Sequence, residues 1–233
     1  MFKHQHPHAP FINNDSTKLI VGTLPPPRFS TGDLLEKDVN FCYGSYYNSL
    51  WLFIDKIHDL RLRFDNSQEA IQQRKQFLID HKIGVCDIVE SCERDKIDAS
   101  DLGMKNIKLR NLIYYLKQFS NIETLLFIGG NSKNGPEYFF RQLLKQAQLK
   151  LLGVSHEVPR KHEFIWEGRR IVTYSLTAPS GAANRAIGSR NAFKQKKINF
   201  GIGTEVFSGQ NTSNYNANYQ KTLHLFVCTI VVN

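Results

Sequence analysis

Asn48 and Asp87 are the side chains in this sequence best suited to orient a water or take a proton. Asn48 ends the polar stretch "GSYYN" and opens the apolar "SLWLFIDKI", while Asp87 directly follows "IGVC". A carboxylate at the end of a strand can act as a base when its surroundings tune it. An amide can hold a water or the edge of a base by hydrogen bonds. Each residue also has an ordinary reading, Asn48 as a helix N-cap and Asp87 as a carboxylate that caps a loop.

Around these two lie segments made for close approach of the backbone to a ligand. "LIVGTLPPPRF" leaves an apolar strand through Gly22, Thr23 and Leu24 into Pro25, Pro26 and Pro27. Proline fixes φ and removes a donor, and it pushes the preceding residue away from helix. Gly22 to Pro27 is therefore expected as a stiff, extended ledge at the carboxyl end of a strand. "LTAPSGAANRA" leaves a later strand through Ser180, Gly181, Asn184 and Arg185. Those residues suit base and phosphate contact, or simply turn formation. Between the two loops in sequence, "FCYGSYYNSLW" supplies Phe41, Tyr43 and Gly44. Aromatic faces on a basic chain suit a nucleobase, and both aromatics read equally well as core residues. Arg185, Arg190, Lys194, Lys196 and Lys197 read as a phosphate-facing rim or as a solvated face. His4, His6 and His8 alternate, which could hold a metal; the expectation is instead a loose arm over residues 1–17. Gly129 and Gly130 lack the following Lys of a phosphate-cradling loop.

The elements that must position these residues alternate along the chain. Strands are expected over 18–24, from 83, over 124–130 and from 169. Helices are expected over 48–60, 67–82, 107–119 and 135–148, with Ser67 as a cap and Pro136 in a first turn. Strand and helix in alternation argue for an α/β fold with a parallel sheet covered on both faces. The 233 residues suit one domain over 1–233. Hydrophobic residues make up 41%, which fits neither disorder nor a membrane protein. No apolar run is long enough to span a membrane, and the first residues lack a signal core, so a cytoplasmic protein is expected. The four cysteines have no paired spacing and read as packed, reduced thiols. A formal net charge of +9 favours a polyanionic partner.

Taken together, these segments resemble the uracil-DNA glycosylase superfamily, most closely its branch of hypoxanthine-DNA and mismatch-specific glycosylases. The first loop follows the family's G-x-x-P-[GSP] pattern through Gly22, Thr23, Leu24, Pro25 and Pro26. "CYGSYYNSLW" is similar to its YYG-x-x-x-N-x-x-W segment through Tyr43, Gly44, Asn48 and Trp51. "IGVCDIVESCER" is similar to IGxxDxxxSCER, "LLFIGGNSKNGPEYF" to the strand and helix around Asn131, and "APSGAANRA" to an S-P-S-x-A-N loop. The matches are collinear over residues 18–190, and residues 200–233 match none of these segments. The resemblance implies a three-layer α/β/α sandwich around a short central parallel sheet. It also implies a monofunctional DNA glycosylase of base-excision repair, with water as the nucleophile and no cofactor or metal. The substrate would be DNA with a deaminated base, uracil or hypoxanthine, and a monomer is expected. Many relatives place Asp or Asn where this chain has Leu24. In the hypoxanthine branch Asn48 would take over, with Asp87 as the second candidate base. A relative that keeps the fold and binds DNA or a nucleotide without the chemistry is the alternative.

Overall fold

A computed structural model describes residues 1–98, 100–157 and 159–179 of the chain. In chain order the elements are β1 (Phe2–Gln5), β2 (Lys18–Val21), α1 (Pro27–Thr31), α2 (Leu50–His58), α3 (Gln68–Asp80), β3 (Ile83–Val85) and β4 (Val89–Arg94). A single 3-10 turn (Asp101–Gly103) leads to β5 (Lys105–Leu109), α4 (Leu112–Gln118), β6 (Thr124–Ile128) and α5 (Pro136–Gln146). The last elements are β7 (Leu152–Ser155), β8 (Arg160–Trp166) and β9 (Arg169–Leu176).

The main sheet runs β3-β2-β6-β9-β8-β7. Its first four strands are parallel, and β8 and β7 continue it antiparallel. Side chains of a strand alternate between its faces, so each central strand feeds two cores. Leu19, Val21, Leu125 and Phe127 join α4 and α5 residues such as Leu116 and Phe140 on one side. Ile20, Leu126 and Ile128 join α2 and α3 residues such as Trp51, Ile54 and Leu78 on the other. Strands buried on both faces read as continuous apolar runs, as "LIV" and "LLFI" do. The result is the expected three-layer α/β/α sandwich.

Three local differences from the sequence expectations have clear causes. Residues 1–17 are not loose. β1 pairs antiparallel with β4, with Phe2 opposite Arg94 and Gln5 opposite Ser91, and β5 completes a small second sheet. The helix expected over 107–119 begins only at Leu112, where the Asn111 side chain accepts from Tyr114 N–H at 3.1 Å. The residues before it form β5, because an apolar residue at every second position also serves an edge strand. The hairpin β7–β8 adds two strands whose mixed exposure left no apolar signature. Ser67 caps α3 as expected, its hydroxyl accepting from Ala70 N–H at 3.2 Å. Among the described residues no helix is long and apolar enough to cross a membrane.

Candidate active site

Parallel pairing aligns the carboxyl ends of β2, β3, β6 and β9, so the segments that follow them share one edge. Those segments begin at Gly22, Cys86, Gly129 and Thr177. The first loop is pinned there by its own backbone. The Gly22 carbonyl accepts from Ile88 N–H at 2.9 Å and the Thr23 carbonyl from Val89 N–H at 3.1 Å. Pro26 is extended at φ −55° and ψ 147°, and Pro27 then starts α1. The stiff ledge thus ends one residue early, where a proline fits the first helical position without loss of a hydrogen bond. Leu24 packs its half-buried side chain against the core.

Asp87 lies next to this loop and is 5% exposed. His6 Nε2–H donates to its Oδ2 at 3.0 Å, while His6 Nδ1 accepts from His8 N–H at 3.0 Å. Those two bonds assign the His6 tautomer and occupy both ring nitrogens. The second carboxylate oxygen, Oδ1, has no hydrogen-bond partner, and neither has the buried Tyr43 hydroxyl. Both converge on the Cα of Gly22. A methyl group there would stand 2.5 Å from Asp87 Oδ1 and 2.6 Å from Tyr43 Oη. Burial alone would push the Asp87 carboxyl up, but the His6 hydrogen bond and charge, with the Arg110 charge, outweigh it and hold the group below its ordinary value. Burial and then the Asp87 charge raise the Tyr43 phenol well above its ordinary value.

Residues 38–48 are fixed by a buried clamp. Asp38 accepts from Arg28 Nε at 2.7 Å and Nη2 at 2.9 Å, from Leu35 N–H at 2.9 Å and from Tyr46 N–H at 2.7 Å. Arg28 Nη2 also donates to Ser45 Oγ at 2.7 Å. Gly44 closes a turn so tight that a Cβ would lie 1.9 Å from the Val39 carbonyl oxygen. Tyr43 beside it takes φ +58°, a left-handed conformation that costs a non-glycine residue energy. Phe41 is corrected to a core residue: it is 6% exposed and packs on Phe11 and Trp51 at ring distances of 5.9 and 6.4 Å.

Asn48 is half-buried at the entrance to α2, and its Oδ1 accepts from Leu50 N–H at 2.9 Å. The N-cap itself is Ser49, one residue later than expected. Ser49 N–H donates to the Pro179 carbonyl at 2.8 Å, which brings Asn48 to the root of the second loop. Asn131 is exposed after the turn at Gly129 and Gly130, both of which have positive φ. Ser180, Gly181, Asn184 and Arg185, and the basic residues 190–197, lie outside the described residues.

Two contributors were not read from the sequence. One is His6, whose alternation with His4 carried the signal of a strand, not of a floppy end. The other is Asp101, whose Oδ2 accepts from Thr23 Oγ1 at 3.3 Å and whose carbonyl accepts from Asn134 Nδ2 at 3.0 Å. Burial lifts its carboxyl to about 6, against the Thr23 hydrogen bond and the Arg94 charge. His4 accepts from Arg94 Nε through Nδ1 at 3.0 Å, whereas His8 Nε2 has no hydrogen-bond partner and its ring lies edge-on to Phe29 at 6.3 Å. Among the described residues no group of three His, Cys, Asp or Glu side chains could hold a metal.

With this geometry in place, one solved structure can be set beside the chain. It is the solution NMR structure of "a putative Uracil DNA glycosylase from Methanosarcina acetivorans". The TM-score is 0.51 at 15% sequence identity, over 84% of this chain and 96% of that one. The likeness is one of fold. No protein-family model matches the sequence, and no curated protein matches it.

Proposed function

We propose that this protein is a DNA glycosylase of base-excision repair, which hydrolyses the N-glycosidic bond of a deaminated base, uracil or hypoxanthine. The observation that carries the reading is the Asp87 carboxylate, held ionised beside the Gly22 loop with one oxygen free of partners. In the reaction the C1′–N bond breaks and its electron pair leaves with the base. Water adds its oxygen to C1′, one water proton passes to the carboxylate, and the departing base takes up a proton from solvent. An anion beneath the loop favours the positive charge that grows on the sugar. Asn48 orients the water across the site, and the prolines spare the loop the entropy of being ordered around an extruded nucleotide. The strained Tyr43 covers Asp87 Oδ1, and movement of that ring opens the carboxylate to water. Gly22, Thr23, Pro25 and Gly44 bring backbone to the nucleotide, and Asn131 meets it, with Ser180, Gly181, Asn184 and Arg185 the further candidates for base and phosphate contact. The protein works as a monomer in the cytoplasm without a cofactor.

Leu24 favours a second reading, a relative that binds DNA or a nucleotide without cutting, because its apolar side chain is turned to the core. The test is base release from labelled oligonucleotides that contain uracil, hypoxanthine or xanthine, single- and double-stranded, followed by alkaline cleavage of abasic sites. Cleavage of one substrate supports the enzyme and names its base. DNA binding without cleavage of any substrate supports the second reading.

A further inference from the structure

We infer that the N-terminal arm is a working part of the site and that His6 is its positioning residue, fixing which oxygen of Asp87 is left free for chemistry. The inference rests on the glycosylase reading. The arm is fastened at four places around Asp87. β1 pairs with β4, His6 binds the carboxylate, Arg110 Nη2 donates to the His8 carbonyl at 2.7 Å, and Phe11 exchanges backbone hydrogen bonds with Val85 at 3.0 and 2.8 Å. Arg110 Nη1 also reaches the Asp87 carbonyl at 3.4 Å, so one guanidinium ties the arm to the residue it serves. A carboxylate with no partner on either oxygen can rotate about its terminal bond. A bond to one oxygen stops that rotation and selects the other. Because His8 N–H occupies Nδ1, His6 presents a donor to Asp87 and cannot itself be the base.

The titratable groups that bear on Asp87 are His6, His8, Tyr43, Arg110, Asp101, Cys42 and Cys86. His6 gives the largest lowering of its carboxyl, so loss of His6 moves the ionisation of Asp87 to higher pH. His6→Ala is expected to slow single-turnover base release by roughly 10- to 100-fold, with DNA affinity kept. The acid limb of its pH–rate profile moves up. His6→Gln, whose amide nitrogen can stand in for Nε2, returns most of the rate and the position of that limb. The full chain carrying ¹³C-labelled aspartate gives a readout independent of activity: the Asp87 carboxyl titrates at higher pH in His6→Ala than in the wild type. An unmoved limb and an unmoved carboxyl titration in His6→Ala overturn the inference, as does equal loss in the Ala and Gln variants. If His6→Ala fails to fold, the Gln variant decides: a displaced acid limb with loss of rate overturns the inference, and a wild-type profile supports it. A wild type that binds DNA but releases no base overturns the glycosylase reading, and the inference with it. Base release with no effect of either variant overturns the inference alone.

Discussion

Gly22→Ala tests the geometry of the site with a single methyl group. Gly22 does not have a left-handed φ, so alanine meets no backbone strain there. On chain entropy alone the substitution should stabilise by about 0.4–1 kcal/mol. The new methyl, however, would stand 2.5 Å from Asp87 Oδ1, 2.6 Å from Tyr43 Oη and 3.1 Å from Tyr43 Cε1. Neither neighbour yields easily, since Asp87 is held by His6 and Tyr43 sits in a constrained turn. Overpacking of this kind costs about 1–3 kcal/mol, which at mid-range outweighs the entropic gain and leaves a net loss of about 1.3 kcal/mol. For a chain of this size each kcal/mol moves Tm by about 2–4 °C, so a fall of about 3–5 °C is expected by calorimetry. Adding Tyr43→Phe removes the hydroxyl contact and should return roughly half of that loss, a non-additivity expected of touching residues. Base release should fall in Gly22→Ala, because Asp87 must shift. A variant as stable as the wild type, or more stable, would refute the account of Asp87 and Tyr43 converging on this glycine.

Other perturbations separate the remaining roles. Asn48→Ala should lose about 1 kcal/mol with the bond to Leu50 N–H and should also stop base release. Asn48→Asp keeps an acceptor and should regain stability but not activity, and wild-type release from the Ala variant would return Asn48 to a purely structural role. Because burial lifts the Asp101 carboxyl from 3.8 to about 6, the native state holds the proton that the unfolded chain releases. Wild-type stability should therefore fall as pH rises from about 4 to about 6. Asp101→Asn should remove that fall, gaining about 2–3 kcal/mol at pH 8 and nothing at pH 4 in urea titrations. Parallel curves for the two proteins would contradict the raised Asp101 carboxyl. Arg28→Met leaves the buried Asp38 carboxylate without its cation and should cost about 3–5 kcal/mol. Asp38→Asn in that background should recover part of the loss, as measured by denaturant midpoint.

The sandwich was legible because β2 and β6 carry unbroken apolar runs, 19–21 and 125–128, and its helices are apolar on one face only. "KLIV" and "TLLFI" are buried on both sides of the sheet, and such runs leave few alternatives. The second sheet was not legible for the opposite reason. β1 reads "FKHQ" and β5 "KNIKL", polar strands whose partners lie far away in sequence. In the candidate site, Gly22, Asp87 and Tyr43 could be read as chemistry-bearing residues, but not as neighbours. His6 escaped because its importance comes from tertiary pairing with Asp87, 81 positions away. Asn48 read as a cap, yet it stands one place before the cap and serves the same first turn. Phe41 shows why an aromatic carried two readings in sequence: of base contact and core packing, the structure shows the packing.

The pairing of β1 with β4 also sets an order of events during synthesis. Phe2 must wait for Arg94, and at ribosomal rates of about 5–20 residues per second that separation takes roughly 5–20 s. Throughout the wait the nascent β1 segment is a charged and polar tether that offers little apolar surface to chaperones or to other chains. The loop at Gly22 emerges early, whereas the histidine that fixes its carboxylate can dock only after the strand from Val89 to Arg94 is made. The arm can therefore seat on Asp87 before β6 and β9, the middle of the main sheet, have been made, so the candidate site takes shape ahead of the scaffold's completion.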